Sequence, residues 1–433
     1  LNKAAEQQIP YCVGEWLPSD EDAFARWMAG LDTLATTRDA PLHPVVRDFG
    51  AAVEQDPALF ALVNSMFDEV PKGPPHDASS HNASPHDVSP TRQPPARDFF
   101  QLLKMIDVVL TTPSYYNETG LAGLPINAML ASIMATNGGY TFFLDATVNL
   151  HLKRILDAWG AFLASPASLP ALSDHPRTGW FGADAMAHMP HFDTTFVCDP
   201  AAPYRGFTSW DDFFTRRFRA GQRPVSAPAD DAVIVSPCEA APYKVARNVR
   251  LRDRFWIKAQ PYSLQHMLAN DPLAPQFDGG TVYQAFLSSF SYHRWHSPVA
   301  GRIVRTAVVD GTYYAQNRPE GHDACGPRRS QAYITQLATR ALVFIEADHP
   351  AIGVMCFMAV GMAEVSTCDI TVAAGQTVAK GEQLGMFHFG GSTCCLLFRA
   401  ETQLDFDLHG QTPGLDAEPI PLHARIATLK GTP

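Results

Sequence analysis

The hydrophobic pattern of this chain changes period partway along, and that change limits what it can fold into. Over residues 1–200 large apolar residues recur at helical spacing. From about residue 230 they come in short runs separated by Gly, Pro, Asn and Asp. A chain of 433 residues in this order reads as α+β, with a helical N-terminal domain over 1–200 and a β-rich part over 205–433. Ser19-Asp20-Glu21-Asp22 opens a helix with acid at its positive end, and Phe24, Trp27, Met28, Leu31 and Leu34 follow on one face. Further helical stretches span 43–70, 98–111, 121–136 and 140–163, and a short one spans Thr208 to Phe218. Between 71 and 97 seven prolines and many serines leave nothing to build a core, so this segment is a disordered insertion. Its histidines, His76, His81 and His86, read as solvated linker rather than metal ligands, and no metal is assigned.

Composition narrows the classes of function. Apolar residues make up 46% of the chain and charged residues 18%, as in a soluble globular protein. A net charge of −11 argues against nucleic-acid binding and against docking on anionic lipid. The longest apolar run, Ile352 to Ala363, falls short of the roughly 18 residues that a membrane helix needs, so no stable membrane insertion is expected. Eight cysteines without a C-x-x-C pair suit reduced thiols and a cytoplasmic location.

Two stretches carry chemistry. In Met386-Phe387-His388-Phe389-Gly390-Gly391-Ser392-Thr393, an apolar strand runs into two glycines and two hydroxyls. The Ser392 hydroxyl stands beside the unhindered carbonyl of Gly391, which it can attack if a base takes its proton. Alternatively, the stretch is a strand ending in a turn capped by Ser and Thr. In Tyr292-His293-Arg294-Trp295-His296, the two histidines fall on opposite faces of a strand or on one face of a helical turn. No third ligand stands at a familiar zinc spacing.

Around these stretches the chain resembles the phosphatidylserine decarboxylase family. The lead into the Gly-Ser bond matches at Lys380, Gly381, Leu384, Gly385, Phe387 and Phe389. Phe213-Phe214-Thr215-Arg216 with Arg223-Pro224, the Tyr262-Ser263-Leu264 stretch and the histidine motif follow in the family's order. The resemblance implies a β-rich catalytic domain containing a lipoyl-like β sandwich. It implies self-cleavage between Gly391 and Ser392 into a β chain, 1–391, and an α chain, 392–433, that remain partners. It implies a pyruvoyl cofactor made from Ser392, flanked by Gly390 and Thr393, with no pyridoxal phosphate. His296 would take the Ser392 proton, and His293 would serve decarboxylation. Glu239, in Ser236-Pro237-Cys238-Glu239-Ala240, stands where the family has Asp and would orient His296.

Within the family, the helical N-terminal region and the same Glu resemble the L-tryptophan decarboxylases of psilocybin-forming mushrooms. That resemblance implies a carboxy-lyase acting on a free aromatic L-amino acid, tryptophan first and then phenylalanine or tyrosine. Trp295, Tyr313 and Tyr314 are candidate apolar walls of the substrate site, with core packing as the alternative for each. The alternatives are a phosphatidylserine decarboxylase making phosphatidylethanolamine, and a non-catalytic carrier or scaffold of the same fold.

Overall fold

A computed structural model describes residues 21–70, 95–116, 124–252, 262–288, 290–317, 330–364, 367–389, 392–414 and 416–431. The insertion expected at 71–97, with its three histidines, lies outside the described residues apart from 95–97.

The N-terminal half is helical, in the order α1 (Glu21–Thr37), α2 (Pro44–Gln55), α3 (Pro57–Asp68), α4 (Phe99–Val109), α5 (Pro125–Met134), α6 (Asn137–Phe142) and α7 (Ala146–Leu163). Two breaks differ from expectation. The stretch over 43–70 is two helices, because Pro57 has no N–H to continue α2. Asp56 also accepts from the N–H groups of Ala58 and Leu59 at 2.8 and 3.2 Å and caps α3. The stretch over 140–163 divides for a similar reason, with Asp145 accepting from Thr147 and Val148 at 2.8 and 3.0 Å. Aromatic rings join the layers: Phe49 of α2 meets Phe99 of α4 edge-on at 5.6 Å and stacks on His151 of α7 at 5.6 Å.

The second half is built of strands: β1 (Val233–Val235), β2 (Ala241–Val249), β3 (Gly280–Leu287), β4 (Arg294–His296), β5 (Gly301–Val309), β6 (Arg340–Ala347), β7 (Val354–Gly361), β8 (Thr367–Ile370), β9 (Thr377–Val378), β10 (Gln383–His388), β11 (Ser392–Phe398), β12 (Leu404–Phe406) and β13 (Arg425–Leu429). A seven-stranded antiparallel sheet has the order β2-β3-β11-β7-β6-β5-β9. Two three-stranded sheets, β4-β10-β8 and β1-β13-β12, accompany it.

Strand period two sorts the large sheet between two cores. Cys395, Leu397, Met358, Val360, Leu342 and Phe344 face a core shared with the helices. Cys394, Leu396, Phe357, Ala359, Val343 and Ile345 face a core shared with the small sheets. Burial on both faces explains why β7 reads as an unbroken apolar run rather than as an alternation. A helix at Gln331–Leu337 interrupts this half, which the strand pattern did not announce.

Candidate active site

The connection from β10 to β11 carries Gly390-Gly391-Ser392-Thr393. Gly390, Gly391 and the Ser392 side chain lie outside the described residues, while the Ser392 backbone opens β11. Phe389, the residue after β10, has φ +39°, a value that takes the chain out of strand geometry. β10 belongs to a small sheet, whereas β11 is an inner strand of the large one, with Ser392 between Leu287 of β3 and Gly361 of β7. The expected cleavage peptide therefore lies on the segment that passes from one sheet to another. The next residue is pinned: the Thr393 hydroxyl donates to the Ala285 carbonyl at 2.8 Å and accepts from Gln284 Nε2 at 3.1 Å. Gln284 Oε1 accepts from the Tyr262 hydroxyl at 2.6 Å, which ties in the Tyr262-Ser263-Leu264 stretch.

The histidine stretch takes the strand alternative, as β4. Its placement comes from the helix Trp210–Phe214, shorter than the expected Thr208–Phe218. Ser209 caps that helix by accepting from Asp212 N–H at 3.0 Å. The helix stops because the following chain is drawn into an antiparallel bridge between Phe196 and Phe218. Arg216 turns inward and donates to the carbonyls of Phe290 and Ser291 at 2.6 and 3.2 Å, with its guanidinium over the Phe196 ring at 4.6 Å. Burial pushes that guanidinium down to about 10. Arg294 Nε donates to the Thr215 carbonyl at 2.7 Å, and the Phe214 ring stacks on buried His293 at 3.9 Å. The Phe-Phe-x-Arg stretch thus holds the histidine stretch by backbone, ring and guanidinium together.

His296 has a defined tautomer. Its Nδ1 lies 2.8 Å from the Gly381 carbonyl, which can only accept, so Nδ1 carries the hydrogen. Nε2 then accepts from the Tyr292 hydroxyl at 3.0 Å. Burial pushes His296 down to about 4, with the Gly381 carbonyl opposing and the neighbouring His423 and Arg294 assisting. It is therefore a neutral imidazole with one basic nitrogen.

Glu239 does not hold His296 directly. Its carboxylate takes Arg223 in a fork, Nη2 to Oε1 at 2.6 Å and Nε to Oε2 at 3.0 Å, and accepts the Leu422 N–H at 2.8 Å. The connection to His296 is indirect. The Arg223 carbonyl accepts from His423 Nδ1 at 2.8 Å, and the His423 ring stands edge-on to His296 at 4.8 Å. The Arg223 guanidinium also covers the Phe218 ring at 4.4 Å, which packs on Tyr292 at 4.4 Å. The orienting contact expected from a carboxylate is made by the backbone carbonyl of Gly381. Sequence reasoning missed His423, a single histidine near the C-terminus with no motif around it.

The three expected substrate walls separate. Trp295 lies in the core between the sheets, against Phe357 at 5.4 Å and Phe387 at 5.5 Å. Its ring alternates with that of His296 along β4, so the two take opposite faces. Tyr313 and Tyr314 lie in the core shared with the helices, where Tyr313 N–H donates to Asn149 Oδ1 of α7 at 3.1 Å. His388 Nδ1 meets Asp211 at 2.9 Å; burial lowers its basicity, but Asp211 and Asp369 outweigh that and the net shift is upward.

Ser392 thus heads an inner strand fed by the small sheet that carries His296. A family model described as phosphatidylserine decarboxylase matches residues 210–412, and a second of the same description matches residues 43–189. The chain belongs to the phosphatidylserine decarboxylase family and is a carboxy-lyase. It is 45% identical over 329 residues to Decarboxylase iboD of Amanita muscaria, covering 70% of this chain and 94% of the relative. It is 34% identical over 440 residues to the L-tryptophan decarboxylase of Psilocybe cubensis, covering 96% of this chain and 94% of the relative. Against phosphatidylserine decarboxylase proenzyme 3 of Schizosaccharomyces pombe it is 31% identical over 207 residues, 48% of this chain and 20% of the relative.

Proposed function

We propose that this protein is a self-processed, pyruvoyl-dependent decarboxylase of a free aromatic L-amino acid, with tryptophan the first candidate. The observation that carries self-processing is the passage from β10 to β11. A cut between Gly391 and Ser392 crosses no ladder pair, because the strands on either side belong to different sheets. The shorter product, 392–433, stays in place: β11 keeps seven pairs with β3 and six with β7, and β13 keeps both its neighbours. His296 is the base: its tautomer makes Nε2 the accepting nitrogen, held by the Tyr292 hydroxyl at 3.0 Å until a proton displaces that contact, and its low basicity keeps it neutral at working pH. Arg223 and His423 position His296, and Glu239 acts through Arg223. The pyruvoyl ketone, made from Ser392, supplies an electron sink for the charge left when the substrate carboxylate departs. His293, held flat against Phe214, stays dry and fixed beside the strand that leads to it.

The substrate class rests on extent. The L-tryptophan decarboxylase of Psilocybe cubensis matches through the helical half, whereas the yeast phosphatidylserine decarboxylase matches about half of this chain. Among the described residues no helix is long and apolar enough to cross a membrane.

Intact mass under denaturing conditions tests processing. Two chains, the smaller being residues 392–433 with a blocked N-terminus, are expected. A single full-length chain sinks the reading. Amine release from tryptophan, phenylalanine, tyrosine and phosphatidylserine then tests the substrate.

A further inference from the structure

Glu364, Asn127 and Tyr314, from three separate segments, are buried where the helices cover the Ser392 end of the large sheet, with Glu364 next to each of the other two. Glu364 lies three residues past Gly361, the ladder partner of Ser392. It is fully buried, and its Oε1 accepts the Asn127 N–H in the first turn of α5 at 2.7 Å. Leu124, which precedes α5, offers no side-chain cap, so Glu364 serves as one from the other half of the molecule. That contact uses only one oxygen. Glu364 Oε2, both amide atoms of the Asn127 side chain and the Tyr314 hydroxyl are buried with no hydrogen-bond partner among the described residues. Burial pushes the Tyr314 pKa well up and the nearby Glu364 charge adds to that shift, and the Phe143 ring of the helical half packs on Tyr314 at 6.1 Å.

Buried polar groups rarely lack partners, so Glu364 Oε2 and the Tyr314 hydroxyl, on neighbouring side chains, call for a group that completes them. The ligand has an aromatic body, to suit Phe143 and the Tyr314 ring, and a hydrogen-bond donor for the carboxylate. Burial pushes Glu364 up to about 8, partly offset by backbone N–H groups of Asn127, Glu364 and Ile126. A donor opposite Oε2 is what its ionised form lacks.

We infer that Glu364, with Tyr314 and Asn127, forms the polar end of the substrate pocket, and that Oε2 accepts the ring N–H of an indole side chain. This makes Glu364 a specificity-determining residue and rests on the aromatic amino-acid reading above.

Indole and 1-methylindole, which differ at the ring nitrogen, are the probes, titrated into the full-length protein by calorimetry. Indole should bind about tenfold more tightly than 1-methylindole, the worth of one good hydrogen bond. In Glu364→Gln the amide oxygen keeps the α5 cap and the NH2 group faces the ligand, so the ratio should fall to about one. Equal binding to the unaltered protein, or an unchanged ratio in Glu364→Gln, overturns the inference. Should Glu364→Gln fail to fold, Tyr314→Phe decides: it touches no helix cap, and the ratio must fall by about threefold or the inference is wrong. Absence of turnover on any free aromatic amino acid, with the binding ratio intact, sinks the proposed activity alone.

Discussion

The ring of Phe389 lies 5.7 Å from that of Trp159 in α7, so the residue leading into Gly390-Gly391-Ser392 is seated on the helical half. Gly160 makes room for it: a Cβ there would stand 2.8 Å from the tip of the Phe389 ring. Gly160→Ala should displace Phe389 and slow cleavage, with about 1–3 kcal/mol of overpacking cost. The fraction of cleaved chain after a fixed time, alongside the urea midpoint, measures both. Cleavage at the unaltered rate would show that the helical half does not brace the segment.

His296 should give processing a simple pH profile. Its conjugate acid forms only as pH falls through about 4, so the rate should be flat from pH 5 to 8 and drop below that. Stability should follow with a definite sign. The folded value lies below the unfolded one of about 6.5, so the unfolded chain binds more protons between them. Stability is then lost as pH falls from about 6.5 to 4, by about 3 kcal/mol, and His296→Gln should flatten that part of the curve. Denaturant titrations at pH 4.5 and 7 test this.

Glu239 is expected to work through Arg223 and not by touching His296. Glu239→Gln should weaken the fork, cost about 1–3 kcal/mol, and slow processing by loosening His423 and Phe218. Arg223→Gln should do the same, and the double variant should be no worse than either single one. Additive losses in that cycle would mean that Glu239 acts on His296 by another route. Glu239→Asp, shorter by about 1.5 Å, should fall between Gln and the unaltered protein.

Trp295 should behave as core rather than as substrate wall. Gly385 lies against it, and a Cβ there would come within 2.5 Å of the indole and 2.2 Å of the Asp369 carbonyl. Gly385→Ala should therefore destabilise strongly, by about 3 kcal/mol or more, since the clash is with backbone as well as ring. Trp295→Phe should lower the melting temperature and leave the KM for amino-acid substrates unchanged. A shifted KM at unaltered stability would return Trp295 to the pocket.

Much of this protein was legible in its sequence. Helical spacing marked the first half, short runs marked most inner strands, and the order of motifs led to the family, because period and local motif are properties of neighbouring residues. Pro57 and Asp145 were equally visible, yet their power to divide a helical stretch depends on caps that form only when the chain turns. Tertiary structure alone decided which groups meet. It paired Glu239 with Arg223, gave His296 the carbonyl of Gly381, and set His423 edge-on against it. It also brought Glu364 from the sheet half to α5, 237 residues away along the chain. Such contacts are fixed by the packing of layers, where burial makes an unpaired polar group costly, and no local pattern in the sequence records which partner each one finds.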